Sequence, residues 1–389
     1  MHRRHLMAAV LAAPALPLAR PSRAAGSVAG AAAGPDGWRQ FEITTRVTLP
    51  DAPGPAQLWL PLAQTTADYQ SAGALSWTTG QTTDIVRRVH DKRYGAQILR
   101  VDFAADAPPA LRDTGSDAGT ADTPSATAAS AHAGSDTGKT IVMVQQVATR
   151  TRAALPCAPL TVAEHRFWTE PTPSAPTDGL VRETGQRITA GHTGDRARLR
   201  ALYDWVIDTT YRRAETPGCG TGDYASMLQS GAFGGKCADI NGLLVGLARS
   251  IGLPARDVYG VRVAPSRLAP SLGRDGDVSK AQHCRAEVFL DEEGWFPVDP
   301  ADVRKVILEQ KLSMDSDDVL ALREQLFGHW EMNWIGYNSA TDIELPDAGD
   351  RRPNFAFLMY PCAFTPAGQP DCLDPGQFHY EITSREINV

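Results

Sequence analysis

Long apolar runs are scarce in this chain of 389 residues. Leu6 to Leu18 comes nearest, and it falls short of the ~18–20 apolar residues a membrane helix needs, so no membrane insertion is expected of the mature chain. A surplus of positive charge is missing too. Lys and Arg number 38 against 45 Asp and Glu, for a formal charge of −7, which argues against nucleic acid or an anionic membrane as partner. The six cysteines contain no Cys-x-x-Cys pair, the spacing typical of structural zinc sites. A phosphate-binding loop is also lacking, because Cys237 follows Lys236 where Ser or Thr is required and Ser230 stands in place of the first Gly. There is no internal repeat.

A leader is expected at the start of the chain. Met1-His2-Arg3-Arg4-His5 is basic, Leu6 to Leu18 is apolar, and Ser22-Arg23-Ala24 fits a small-x-small cleavage site, so residues 1–24 are expected to be an export signal. Arg3-Arg4 before Leu6-Met7 suits a twin-arginine type, with an ordinary secretory signal as the alternative. The expected location is periplasmic or secreted. Such compartments admit disulfides, and Cys362 and Cys372, around Pro366-Ala367-Gly368, are the pair whose spacing favours one.

The chemistry is concentrated in Gly234-Gly235-Lys236-Cys237-Ala238-Asp239, which sets a cysteine at the start of an apolar helix running through Leu243, Leu244, Leu247 and Ile251. The positive end of a helix and its unpaired amides stabilise a thiolate, so Cys237 is a candidate nucleophile. Gly252 and Pro254 close that helix. A base is available in Gln282-His283-Cys284-Arg285-Ala286-Glu287-Val288-Phe289-Leu290, which reads as a strand with Val288 and Leu290 on one face and His283 on the other. Gly294-Trp295-Phe296-Pro297-Val298-Asp299-Pro300 adds a carboxylate at the end of the next strand. Cys237, His283 and Asp299 then follow the triad logic of thiolate attack, proton shuttle and imidazole orientation.

These blocks resemble the transglutaminase-like superfamily, whose core has the papain-type fold. The likeness is carried by Gly235-Lys236-Cys237, by Arg249-Ser250-Ile251-Gly252-Leu253-Pro254-Ala255-Arg256, by His283 with Glu287, and by Gly294-Trp295 with Asp299-Pro300. It extends over roughly Asp195 to Lys305. Arg285 departs from the pattern, since many members carry Trp there, and Cys284-Arg285-Ala286-Glu287 is closer to an exported bacterial subgroup. The resemblance implies a cysteine enzyme acting through a thioester, with no cofactor and no metal. A zinc site built from Cys219, Cys237, His283 and Cys284 is the disfavoured alternative.

Arg285 shares the face of His283 and is expected to bind a substrate carboxylate, the competing reading being an ion pair with Glu287. For the oxyanion the backbone amide of Cys237 is the first donor, with Gln229, Tyr224 and Trp205 as side-chain candidates.

The expected fold class is α+β. A papain/transglutaminase-like core, with the Cys-bearing helix packed on an antiparallel sheet, occupies 175–310 and opens with helices at Asp178–Ala190 and Asp195–Asp208. Before it, 38–155 alternates as an N-terminal β-sandwich domain, interrupted at 104–139 by a stretch of Ala, Asp, Ser, Thr and Gly that is expected to be disordered. After it, 311–389 forms a C-terminal β extension, with a helix at Asp315–Phe327 and strands near Phe355–Tyr360 and Phe378–Ile382. The expected substrate is a peptide or protein carrying an amide, and the expected reaction is amide hydrolysis. Transamidation and a non-catalytic cell-envelope binding module are the alternatives.

Overall fold

Residues 37–49, 54–66, 68–105 and 139–387 are described by a computed structural model. The expected leader at 1–24 and nearly all of the low-complexity stretch lie outside them. In chain order the strands are β1 (Arg39–Leu49), β2 (Ala56–Pro61), β3 (Gln70–Thr79), β4 (Ile85–His90), β5 (Gln97–Phe103), β6 (Lys139–Thr149) and β7 (Arg152–Ala153). Then come α1 (Val162–Thr169), α2 (Gly179–Thr189), α3 (Asp195–Thr209), β8 (Tyr211–Arg212), α4 (Tyr224–Ser230), β9 (Gly234–Gly235), α5 (Cys237–Ser250) and β10 (Ala255–Arg262). The chain continues through β11 (Gly276–Asp277), β12 (Gln282–Leu290), β13 (Gly294–Val298), α6 (Pro300–Gln310) and α7 (Asp317–Gln325). It ends with β14 (His329–Trp330), β15 (Trp334–Asn338), β16 (Cys362–Phe364) and β17 (His379–Ile387).

Period-two burial builds the first layer. In β1, Phe41, Ile43, Val47 and Leu49 point inward while their neighbours stay part-exposed, and antiparallel β6 repeats the pattern with Ile141, Met143 and Val147. Two sheets result, ordered β11-β17-β1-β6-β3 and β16-β2-β5-β4, and they enclose a core that includes Leu58, Leu60, Leu99, Val101 and Phe103. Strands β3 and β4 escaped the sequence reading because most of their residues are exposed, which weakens the alternation.

The expected C-terminal extension is divided among four sheets, β14 pairing with the two-residue β7 and the other three strands joining larger sheets. Strand β17 pairs along β1 from Thr48 opposite His379 to Gln40 opposite Ile387, β16 pairs with β2, and β15 pairs with β10. Each covers an edge that would otherwise expose unpaired backbone groups. Residues 355–360, expected as a strand, are irregular. Phe355, Phe357 and Tyr360 cluster there with one another, and Phe357 stacks on Tyr259 of β10. Cys362 and Cys372 are free thiols.

The second layer is helical. All fourteen residues of α5 are buried, because the helix packs on β12 and β10 and is flanked by α2, α3, α4 and α6. Apolar side chains at helical spacing, Leu243, Leu244, Leu247 and Ala248 from α5 and Leu199, Leu202, Val206 and Ile207 from α3, fill this core with the helix-facing residues of β12. The sheet beneath runs β13-β12-β10-β15 and is wholly antiparallel. On it, Val261, Ile335 and Tyr337 meet Phe41, Ile43, Val147 and Ile382, which packs the β-sandwich against the core.

Candidate active site

Three elements of this core deliver the three expected side chains to one place. Cys237 is the first residue of α5, His283 is the second of β12, and Asp299 follows β13 as the N-cap of α6. Asp299 has two tasks. Its Oδ2 lies 2.7 Å from His283 Nε2 while Oδ1 accepts the amide of Asp302 at 3.1 Å, and Pro300 at the first helical position suits that start. With Nε2 engaged, His283 has Nδ1 left for the thiol. The Cys237 sulfur sits among the His283 ring and the thiols of Cys219 and Cys284, with the Cys219 carbonyl oxygen 4.0 Å away.

Electrostatics favour an ion pair here. Burial works to raise the Cys237 thiol, but the neighbouring Cys219, Cys284 and His283 side chains, together with the His283 charge, hold it well below the ordinary range. The same sulfur pushes both neighbouring thiols well above it, as burial does, so the proton is lost from Cys237 and kept by its neighbours. For His283, burial and Arg262 act downward, yet Asp302 and Asp299 outweigh them and the imidazole is raised. A raised imidazole beside a lowered thiol is the condition for a thiolate–imidazolium pair.

The Gly-rich loop is tied to the nucleophile helix by Asp239. Its carboxylate accepts the amide of Lys236 at 2.9 Å and those of Thr221 and Gly222 at 3.0 Å each. Gly220 is required there. Its φ is +90°, and a Cβ would lie 1.9 Å from Asp239 Oδ2. This tether holds Cys219 beside Cys237, with the Cys219 thiol donating to the Gln282 carbonyl at 3.2 Å. Cys219, Cys237, Gln282, His283 and Tyr360 all line one cleft of about 950 Å³.

Residues 182–300 match the transglutaminase-like superfamily. The chain has a transglutaminase-like core. An uncharacterized protein of Haemophilus influenzae (strain KW20 / Rd) is 35% identical over 228 residues, 56% of this chain and 61% of that protein. The match thus spans about three-fifths of the relative's length. Among solved structures, a candidate cysteine protease from Cytophaga hutchinsonii superposes with a TM-score of 0.50 at 14% identity, covering 90% of this chain and 92% of that one, a likeness of fold.

Within the transglutaminase-like core, Arg285 requires correction. It does not line the cleft, and it is 2% exposed. Its guanidinium lies over Trp330 and Trp334, 5.5 and 4.9 Å from the ring centroids, donates to the Glu331 carbonyl at 2.8 Å and sets Nε 3.4 Å from Asp299 Oδ2. Position 285 thus holds a buried cation flanked by two tryptophans. Nor does Arg285 pair with Glu287. That buried carboxylate is taken by Arg152 at 2.9 Å and Arg256 at 2.7 Å.

The side-chain oxyanion candidates also fall outside the cleft. Tyr224 donates to the Pro176 carbonyl, Trp205 packs edge-on against Phe233, and Gln229 is exposed. What the sequence reading missed is the support behind the triad. Asn241, one turn after Cys237, gives Nδ2 to the Cys284 carbonyl at 2.8 Å and to Asp299 at 3.3 Å, and its Oδ1 accepts the Ala301 amide. A polar residue inside an otherwise apolar helix was the available signal. Arg262 grips Asp302 with both nitrogens, and the indoles of Trp334 and Trp330 donate to the carbonyls of His283 and Val298.

His283, Asp299 and Asp302 bring three donor atoms within 4.8 Å of one another. The guanidinium groups of Arg262 and Arg285 already neutralise those carboxylates, so a cation placed there would meet two positive neighbours. The thiols of Cys219 and Cys284 lie beside Cys237 and keep their protons while Cys237 loses its own. That arrangement serves a nucleophile better than a tetrahedral zinc site, which needs all sulfurs equidistant from the metal.

Proposed function

We propose that this protein is an exported cysteine enzyme that hydrolyses an amide bond in a peptide-like substrate through a Cys237 thioester. The observation that carries the reading is the His283–Asp299 contact of 2.7 Å behind a Cys237 sulfur that faces a cleft and is held well below the usual thiol range. Export rests on the basic and apolar leader at 1–24.

In this reading the Cys237 thiolate attacks the amide carbonyl, and the oxyanion that forms meets the Cys237 amide, one of the unpaired donors of the α5 terminus. His283 gives its proton to the departing amine, so the C–N bond breaks and a thioester remains. Water then attacks the thioester, His283 takes its proton, and the free acid leaves with the thiolate restored. Asp299 keeps the ring in the tautomer and orientation this requires, a role Arg285, Asn241 and the Asp302 amide support by fixing the carboxylate.

Hydrolysis is preferred to transamidation because the cleft walls carry many charged groups, and an open polar cleft admits water at ~55 M against millimolar amine. A peptide amide incubated with enzyme and excess primary amine should yield mainly the free acid. Amine adduct as the main product would make the enzyme a transamidase. No turnover together with no selective alkylation of Cys237 would make it a binding module.

A further inference from the structure

The cleft is more basic than the protein that contains it. Although the chain as a whole is acidic at −7, its cleft walls hold twice as many Lys and Arg as Asp and Glu. The bias is strongest next to the nucleophile, where three elements converge. Lys236 immediately precedes Cys237, Arg212 lies on β8 opposite Gly235 of β9, and Lys305 projects from the helix that Asp299 caps. Among the described residues only one carboxylate answers them. Glu309 Oε1 lies 2.6 Å from Lys305 Nζ and 3.7 Å from Arg212 Nε, and Lys236 has no ion-pair partner among the described residues. Arg212 and Lys305 are 15% and 17% exposed, so water screens them poorly. Burial, and after it the charges of Arg262 and Arg212, depress the Lys305 ammonium despite its bond to Glu309, as expected of a site short of negative charge. Tyr360 lines the same cleft with a buried hydroxyl that lacks a hydrogen-bond partner. Burying an unsatisfied hydroxyl and uncompensated cations is costly unless a ligand completes them.

We propose that Lys236, Arg212 and Lys305 form a carboxylate-recognition subsite beside Cys237, and that the substrate is an acidic peptide with a free carboxylate on the residue adjoining the scissile amide. The subsite expected at Arg285 is thereby supplied instead by residues on β8, the β9–α5 junction and α6. The proposal rests on the reading of Cys237 as the nucleophile, and the test separates the two. Iodoacetate and iodoacetamide alkylate a thiolate at the same carbon and differ in one negative charge. The ratio of their rates at Cys237, divided by the ratio at a small free thiol, should be about 10 at low salt and should fall as ionic strength rises. Lys236→Gln should lower the ratio severalfold, and Lys236→Glu should bring it below one. Matched peptide amides with Glu or Gln beside the scissile bond should differ about tenfold in kcat/KM in favour of Glu, and Lys236→Gln should erase the difference.

A normalised alkylation ratio of one, or equal cleavage of the Glu and Gln peptides, overturns the subsite and leaves the hydrolase reading in place. Failure of either reagent to label Cys237 selectively at neutral pH overturns the nucleophile reading and the subsite with it.

Discussion

Strand β12 is buried along its whole length, yet its two faces are built from opposite materials. Toward the helices it presents Cys284, Ala286, Val288 and Leu290, packed against α5 and α3. Away from them it presents His283, Arg285 and Glu287, each tied to a charged partner. The first face contributes by removing apolar area from water, at roughly 25 cal/mol per Å². The second gains little net stability, since desolvation offsets most of each ion pair, and its value lies in fixing where atoms sit. Asp257 makes the contrast sharper. It lies on β10 opposite Ala286, on the helix side, with one oxygen lacking a hydrogen bond, and burial pushes its carboxyl up to about 7. Asp302, buried to a similar degree but gripped by Arg262, is held well below the usual carboxylate range.

The comparison breaks most readily at the triad. Asp299→Asn should lower kcat for amide hydrolysis about 10³-fold, equivalent to ~4 kcal/mol, and should lower the thermal midpoint as well, because Asn can cap the helix but leaves the buried Arg285 guanidinium without its carboxylate. The sign of its pH effect follows from the carboxylate raising His283, so its loss should move the alkaline limb of the pH–rate profile to lower pH. If the profile keeps its limb, Asp299 does not govern the imidazole.

Arg285 tests whether the charged face positions or stabilises. Arg285→Ala should cost ~3–5 kcal/mol by leaving Asp299 a partner short and a void beside two indoles, whereas Arg285→Met should nearly restore the unfolding free energy and still slow hydrolysis about tenfold. Full activity in the Met variant would reduce Arg285 to packing. On the apolar face, Leu290→Ala should lower stability by about 3 kcal/mol in urea unfolding with kcat unaltered per folded molecule. A loss of kcat there would show the two faces to be coupled.

Asp257→Asn should stabilise the protein by ~1–3 kcal/mol at pH 8 and by little at pH 4. The folded carboxyl keeps its proton to about 7, while an unfolded one releases it near 4, so wild-type stability falls as pH rises through that window and the variant should lack the fall. Smallest is Cys219→Ala. It removes a polar neighbour that favours the Cys237 thiolate, worth ~0.5–1.5 kcal/mol, so the midpoint of Cys237 alkylation against pH should move upward.

How far the site could be read in advance depends on how local its causes are. Cys237 was legible because the glycines, the helix start and the apolar run all occur within twenty residues, and the alternation of β12 located His283. Asp299 was legible as the end of a strand, but its second task as the cap of α6 was not, since the Asp-Pro pair reads equally well as a turn. Arg285 was assigned to the correct face of its strand and to the wrong surroundings. Period two says which side a residue takes, while Trp330 and Trp334, some forty-five residues on, decide that the side is closed.

By itself, then, the sequence determined the helix that begins with Cys237, the strands that carry His283 and precede Asp299, and the paired layers of an α+β core, because helix termini and apolar periodicity act over a few residues. Tertiary structure decided what those elements meet. The last strands close the edges of the N-terminal sheets, Asn241 and Arg262 brace the carboxylates, and Arg212 and Lys305 reach the nucleophile from helices and strands far apart in sequence. Charges and hydrogen bonds between distant residues leave no periodic trace in the chain, and only packing fixes whether a cation faces water, a carboxylate or the substrate.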